Sequence, residues 1–137
     1  MEDITSLIVN TIHDKLPNLP VYRENMPTAF SEPSFAVNRI GVHSSGELHG
    51  YDMRTYAFDL SYFPTPERPR EDADMMAEWL MENLKIVEPN YATLLNRDIN
   101  VTDNILHYTF DIRAHVRGEP APTMNQNLDY KGGLKNG

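Results

Sequence analysis

The sequence predicts an α+β fold in which two main helices pack on one face of an antiparallel or mixed sheet of about four to five strands. Two segments have apolar residues at helical spacing, and several others alternate between polar and apolar residues, as half-buried strands do. The predicted order is helix, three strands, helix, two strands, and strands that follow one another directly favour antiparallel pairing. A chain of 137 residues is long enough for one such domain with a sizeable core.

The first helix is predicted over residues 3–16. Asp3 or Thr5 can cap its start, and Pro17 prevents its continuation. Residues 19–22 are a candidate short strand. The apolar stripe of the helix has five members: Ile4, Leu7, Ile8, Ile12 and Leu16.

A central strand is predicted over residues 34–43, because its apolar residues fall on both faces, as in a strand that is covered on two sides. Phe35 and Val37 share one face, and Ala36, Ile40 and Val42 share the other.

The segment after this strand is predicted to be a turn or flexible loop, because Ser44 and Ser45 precede Gly46. Residues 47–51 are ambiguous, and Gly50 favours a bulge or a loop there. Residues 53–63 then alternate clearly, which predicts a strand with one apolar face: Tyr56, Phe58, Leu60 and Tyr62.

The second helix is predicted over residues 69–85, since Pro69 suits a first helical turn and acidic residues follow it. Residues 91–95 are predicted to form a helical turn. The buried stripe of the second helix is expected to have six members: Met75, Met76, Trp79, Leu80, Met81 and Leu84.

Two strands are predicted to end the domain, over residues 97–101 and 105–117, joined by a hairpin turn at residues 102–104. Residues 105–117 alternate most regularly, with apolar residues at the even positions. Residues 118–137 contain two prolines and four glycines and few apolar anchors. We therefore expect a single domain over residues 1–117 and a C-terminal arm that is disordered alone or ordered on a partner.

Composition excludes several classes of function. The chain has no cysteine, so disulfides and thiolate chemistry are absent. Its net charge is −8, the opposite of what a general nucleic-acid binder needs. No apolar run approaches the ~18 residues of a membrane span, and the first residues lack the basic region of a secretory signal. We therefore expect a soluble, acidic protein made in a cytoplasm.

The histidines offer two pairs that a metal site might use. His107 and His115 share a strand face but are separated by roughly 26 Å. His43 and His49 flank the Ser-Gly segment and could meet across a hairpin. Because two ligands complete neither a structural nor a catalytic set, we expect no metal or cofactor, and a small ligand- or metal-binding domain is kept as an alternative.

No catalytic constellation is visible in the sequence. Asp111 and Arg113 lie on a polar strand face, which is more typical of cross-strand ion pairs or of an interface. The serines lack the flanking glycines of a nucleophile elbow. Gly132 and Gly133 follow no strand, as a phosphate-binding loop would require. We therefore expect that the protein is not an enzyme.

Four segments, taken in order, cover nearly the whole chain. They are the first helix leading into LPVYRE at 19–24, EPSFAV at 32–37, RTYAFDLSYFP at 54–64 running into the second helix, and the finish at 124–128 with GGLK at 132–135. Together they resemble the small tail terminator, or tail completion, proteins of tailed phages and prophages of Gram-positive bacteria.

This resemblance implies an α+β protein without catalytic residues that assembles into a ring, typically of six copies. The ring binds the end of the tail tube, stops its growth and docks the head connector, so the chain is expected in the virion at the head–tail junction, after synthesis in the host cytoplasm. DNA would pass through the lumen without specific binding, which an acidic or neutral lumen favours. Another head–tail joining protein is an alternative.

In such a ring, the polar strand faces and the arm are expected to contact neighbouring subunits or the tube. The expected interface residues are His49, Tyr51, Arg54, Asp111, Arg113, His115, Met124, Leu128, Tyr130 and Leu134.

Overall fold

The structure, a computed structural model, describes residues 3–23, 31–89 and 91–117. These residues form α1 (Ile4–Lys15), β1 (Val21–Arg23), β2 (Ser34–Leu48), β3 (Tyr51–Phe63), α2 (Pro69–Asn83), β4 (Ile86–Val87), β5 (Ala92–Thr93), β6 (Leu95–Thr102) and β7 (Ile105–Arg117). Five strands make one mixed sheet in the order β1-β2-β3-β7-β6, with only β1 and β2 parallel among the described pairs. The predicted α+β class is confirmed, and a separate two-stranded ribbon joins β4 to β5.

Helix α1 forms where the sequence predicts it. Asp3 is the N-cap, and its carboxylate accepts a hydrogen bond from the Ser6 backbone N–H at 3.3 Å. The buried stripe consists of Ile4, Ile8 and Ile12. Because this stripe is buried in the core, α1 packs with this side against the sheet.

The hairpin between β2 and β3 is longer than predicted, and the prediction of a turn or loop at residues 44–46 is wrong. Strand β2 continues to Leu48, and the pairing with β3 shifts register between Ser44 and Glu47 before it resumes. The small polar residues are thus absorbed as an irregularity within the strand. The actual turn is His49-Gly50, with φ of 54° and 80°, the positive values that a two-residue hairpin loop requires.

Strand β2 is covered on both faces only in its first half. Phe35, Ala36 and Val37 are buried, as predicted. Ile40 and Val42, predicted to be buried, are 60% and 54% exposed. The prediction fails there because no described element covers that part of the strand.

Helix α2 begins at Pro69, as predicted. Its start is tied to the end of β3, since the Asp72 carboxylate accepts hydrogen bonds from the Tyr62 hydroxyl at 2.8 Å and from the Thr65 N–H at 2.9 Å. Burial, together with this bond to Asp72, raises the pKa of the Tyr62 hydroxyl. Met75, expected in the buried stripe, is instead 68% exposed.

The segment after α2 differs from the prediction. The helical turn expected at residues 91–95 is wrong, because Ala92 and Thr93 pair with β4 as a short strand. The hairpin turn between β6 and β7 is confirmed, with Asp103 and Asn104 at φ of 52° and 63°. The alternation of β7 is also confirmed, since its buried residues are Leu106, Tyr108, Phe110 and Ile112.

One apolar core lies between the two helices and one face of the sheet. It joins the α1 stripe and the buried residues of α2 to the inward side chains of β2, β3 and β7. Tyr108 is buried there, and its hydroxyl donates to the Leu84 carbonyl at 2.7 Å; burial raises the pKa of this hydroxyl. The helices therefore define a helix side of the sheet. We call the opposite side the open face, although Ala36 and Ser61 on it are buried.

Candidate functional site

The sheet extends past its helices in one direction. We call this part the distal finger; it consists of residues 39–57 of the β2–β3 hairpin and residues 112–117 of β7. From Arg39 to Glu47, β2 is exposed throughout. Three of the five large apolar residues that are exposed in the described part of the chain lie here: Ile40, Val42 and Tyr51. Val42 projects on the helix side and Tyr51 on the open face, so these residues mark the finger as exposed but do not form one continuous apolar patch.

The helix side of the finger carries a connected polar cluster. The Ser44 hydroxyl donates to the Asp52 carboxylate at 2.5 Å, and the Arg54 Nε donates to the other carboxylate oxygen at 2.7 Å. The Arg54 guanidinium also lies 3.4 Å from the Tyr56 hydroxyl oxygen. The hydrogen bonds from Ser44 and then Arg54 lower the pKa of the Asp52 carboxyl, and the bonds to Tyr56 and Asp52 raise the pKa of Arg54.

This cluster borders a shallow depression of about 430 Å³. The Arg39 guanidinium lies over the Tyr56 ring, 5.5 Å from its centroid, in cation–π geometry. Arginine and tyrosine are among the residue types that are enriched in protein interfaces. The depression is lined by Arg39, Val42, Ser44, Asp52, Arg54 and Tyr56.

The open face of the finger carries an aromatic and cationic cluster at its tip. The Tyr51 and His115 rings are 6.4 Å apart between centroids. The Arg117 guanidinium lies 5.9 Å from the Tyr51 centroid. The cluster presents ring faces and positive charge to solvent, which suits a polypeptide partner better than it suits bond-making chemistry.

A serine, a histidine and an aspartate meet on the open face nearer the helices, and sequence reasoning missed them. His107 Nδ1 lies 3.1 Å from an Asp59 carboxylate oxygen and 3.3 Å from the Ser61 hydroxyl. A hydrolytic triad needs the serine on the ring nitrogen opposite the aspartate. Here both partners contact the same nitrogen, so the arrangement is a cross-strand polar contact. Only the register of β3 against β7 reveals it.

The predicted interface residues are divided between the two sides of the sheet. The open face of the finger carries Tyr51, Arg113 and His115. Asp111 lies on the same face at the base of the finger, and the Asn96 amide donates a hydrogen bond to the Asp111 carboxylate at 2.9 Å. Arg54 lies on the helix side, and His49 forms the tip of the hairpin. Four further predicted residues lie outside the described residues: Met124, Leu128, Tyr130 and Leu134.

His43 and His49, which could have met across a hairpin, are not paired across it, since His43 lies opposite Thr55. Because the turn lies at residues 49–50, both residues belong to the same side of the hairpin, six positions apart. An extended strand separates such positions by roughly 20 Å. Within residues 3–23, 31–89 and 91–117, no group of three or more His, Asp or Glu side chains is arranged to hold a metal ion.

Several finger residues were not among the predicted interface residues, notably Arg39, Ile40, Val42, Asp52 and Arg117. Alternating apolar residues in a strand normally predict burial, so nothing local distinguishes a strand that extends past its helices.

No helix within the described ranges has both the length and the apolar character to cross a membrane.

Comparison with known proteins adds a family. A family model described as "Phage tail terminator protein" matches residues 3–124. The match covers both helices and every strand of the described residues. A search of curated proteins found no match.

Proposed function

The chain belongs to the phage tail terminator family, and from this premise we propose that it forms a ring on the end of the tail tube, stops tube growth and docks the head connector. The family match over residues 3–124 is the observation that carries this proposal. Membership makes the chain a structural component of the phage tail, and so of the virion. Its position at the head–tail junction is part of the proposal.

The distal finger supports an assembly role. It combines exposed aliphatic residues with tyrosine and arginine, and several of its polar groups are already held by neighbours, as in the Asp52–Arg54 ion pair. Groups that are ordered before binding lose less conformational entropy when a partner arrives. The finger is therefore a better candidate for the subunit or tube contact than the polar face near the helices.

The predicted interface residues remain proposals at this point. We assign Tyr51, Arg54, Arg113 and His115 of the finger to contacts with neighbouring subunits or the tube, with His49 at its tip and Asp111 at its base. The C-terminal arm, residues 118–137, is proposed to add contacts through Met124, Leu128, Tyr130 and Leu134.

The proposed ring has six copies, which at 15.7 kDa each would weigh about 94 kDa. Its partners are the tube protein and the connector proteins, and DNA passes through the lumen without specific binding. The net charge of −8 supports this, because an acidic surface repels the negatively charged phosphates of DNA. We propose synthesis in the cytoplasm of a Gram-positive host and no catalytic activity.

Deleting the gene from its phage tests the proposed function. Without a terminator, tube growth has no defined stop, so we expect tails of abnormal length and heads without tails in electron micrographs. Supplying the intact chain from a plasmid should restore normal tails. Tails of normal length that merely fail to attach to heads would contradict termination and favour a head–tail joining role.

A further inference from the structure

The distal finger differs in charge from the rest of the chain. The whole chain has a net charge of −8, yet the finger, residues 39–57 and 112–117, contains four arginines, three of the five histidines and only two acidic residues. Asp52 lies on the same side of β3 as the buried Tyr56, and Glu47 is opposite Asp52, so both acidic residues project on the helix side. The open face of these two ranges therefore carries no acidic side chain.

On this open face, β7 presents a row of basic side chains. Arg113, His115 and Arg117 alternate along the strand with residues of the helix side, so they project together at intervals of about 7 Å. All three are exposed. Neither arginine forms an ion pair with another residue in the described part of the chain. We call these three residues the basic row.

The surroundings of the basic row leave it available to a partner. Asp111 is the preceding residue on the same face, and its carboxylate is held by the Asn96 amide. Tyr91 borders the row at a shallow depression of about 280 Å³, and Arg113 and His115 remain exposed beside it. Because surfaces of opposite charge steer association and fix its register, the row favours an acidic partner.

Helix α2 carries the complementary charge, with five acidic residues and one arginine. Met75, Glu78 and Glu82 recur at helical spacing on one side of the helix. This side is opposite the buried Ala73 and Leu80, so it points away from the core. We call the three exposed-side residues the α2 stripe.

The α2 stripe is also without partners. Met75 is 68% exposed, the highest value among the large apolar residues described. Glu78 and Glu82 form no ion pair within the described ranges, whereas Asp74 beside them is held by Arg70 at 3.3 Å. Because Glu78 and Glu82 are one helical turn apart, about 6 Å, their spacing is close to that of successive side chains in the basic row.

The two surfaces point in opposite directions. Helix α2 packs on the helix side of the sheet, so the α2 stripe faces away from the sheet on that side. The basic row faces away on the open face. Two copies can therefore stack with the open face of one finger on α2 of the next, and a contact between two different surfaces is head-to-tail, the kind that closes into rings.

We propose that the ring closes by contact between the basic row of one copy and the α2 stripe of the next copy. Two successive side chains of the row then face Glu78 and Glu82. Exposed ion pairs are individually weak, so burial of Met75 against the finger supplies apolar contact as well. This inference rests on the proposed ring and names the surfaces that form it.

Reversing the charges on each surface tests this contact. R113E/R117E places carboxylates against the α2 stripe, and E78R/E82R places guanidinium groups against the basic row. We expect each variant alone to have at most half the assembled mass of the wild type in light scattering at equal concentration. An equimolar mixture of the two should regain the wild-type mass, because alternating copies then oppose only unlike charges.

The matched control is K15E/K85E, which changes the net charge as much as R113E/R117E does, at two exposed positions outside both surfaces. This variant should assemble like the wild type, and circular dichroism compares the folding of all variants. Raising the salt concentration should lower the assembled mass of the wild type, because ions screen exposed charges. An equal loss of mass in K15E/K85E would attribute the effect to net charge and overturn the contact.

Cysteine cross-linking provides a second measurement, which stands even if a charge variant does not fold, since the chain has no cysteine of its own. The variant M75C/H115C is treated with a short bismaleimide, both alone and bound to tubes of the tube protein of the same phage. We expect a ladder of covalent products from dimer up to the full ring. The single variants M75C and H115C should stay monomeric on a denaturing gel.

The outcomes separate this inference from the proposed function. Wild-type chain that assembles and caps tubes, with no ladder from M75C/H115C, would overturn the contact and leave the terminator proposal intact. Folded charge variants whose mixture stays unassembled would also overturn it. Wild-type chain that assembles neither alone nor on tubes would overturn both proposals.

Two further results would assign the basic row to another partner and overturn the contact. Dimers from H115C alone would indicate a two-fold contact between open faces. If R113E/R117E assembles like the wild type but loses binding to duplex DNA that the wild type binds in fluorescence anisotropy, the row contacts phosphates instead.

Discussion

At the residue scale, Asp3 connects the start of α1 to β1. Its carboxylate accepts the Ser6 N–H, and the Arg23 guanidinium donates to it at 3.0 Å. The hydrogen bond from Arg23 is the main reason why the pKa of Asp3 is lowered, followed by that from the Ser6 backbone. The folded state therefore prefers the charged carboxylate.

We predict that D3A lowers the free energy of unfolding by about 1 kcal/mol at pH 7, the usual effect of losing an N-cap, and that D3N, which retains capping ability, costs less. Because the pKa of Asp3 in the folded protein lies below the ordinary value of 3.8, the part of the stabilisation that depends on its charge is fully present above that value. This part is lost as the pH falls through the lower folded pKa. Urea unfolding at pH 7 and pH 3 measures this. A difference in free energy of unfolding between wild type and D3N that is larger at pH 3 than at pH 7 would contradict the lowered pKa of Asp3. D14N, an exposed site on the same helix, is the control.

Residue burial was predictable where alternation alone decides it, as in β7. It was not predictable for Ile40 and Val42, because burial there depends on what covers the strand, and that information is not local. The contact of Asp59 with His107 likewise depends on the register between two strands that are distant in sequence. The residue types of the candidate site were therefore predictable from the sequence, whereas the neighbours of each residue depend on the strand pairing in the sheet.

At the element scale, the β2–β3 hairpin is the feature that shapes the finger. Its turn depends on Gly50, whose φ is 80°, a conformation in which glycine has no Cβ clash. The sequence predicted both strands but placed the loop at the Ser-Ser-Gly stretch, since these residues normally end a strand. A bulge and a loop share the same residue preferences, so only the pairing that resumes at Glu47 distinguishes them.

We predict that G50A destabilises the protein by about 1 kcal/mol, because alanine is strained at positive φ. G41A is the matched control in the same hairpin. A Cβ there meets nothing within 4 Å, and its φ is outside the positive range, so its effect should stay within about 0.5 kcal/mol. Chemical denaturation of both variants measures the difference. Equal effects would contradict the turn assignment.

At the scale of the whole molecule, the helices cover one part of the sheet and leave most of the distal finger uncovered, with Tyr56 and Ile112 at its base buried in the core. This division separates the apolar core from an exposed part of the sheet, which we propose as the surface for partners. Two helices, their order and the class of the sheet followed from periodicity, whereas the extension of the sheet past the helices did not, because periodicity carries no information on relative length.

We predict that ending the chain at Arg117 preserves the fold and weakens assembly. The core is formed by residues within 4–112, so the far-UV circular dichroism per residue of the folded part and the melting temperature should change little. Light scattering should report a lower assembled mass than for the full chain at equal concentration. Identical masses would contradict a contact role for residues 118–137.

The most direct test of the account is electron microscopy of tube protein that polymerises with and without the purified chain. We expect tubes to stop growing when the chain is added and to carry, at one end, a ring with the mass expected for six copies of the chain. Tubes that keep growing with bare ends at a saturating concentration of the folded chain would contradict the account.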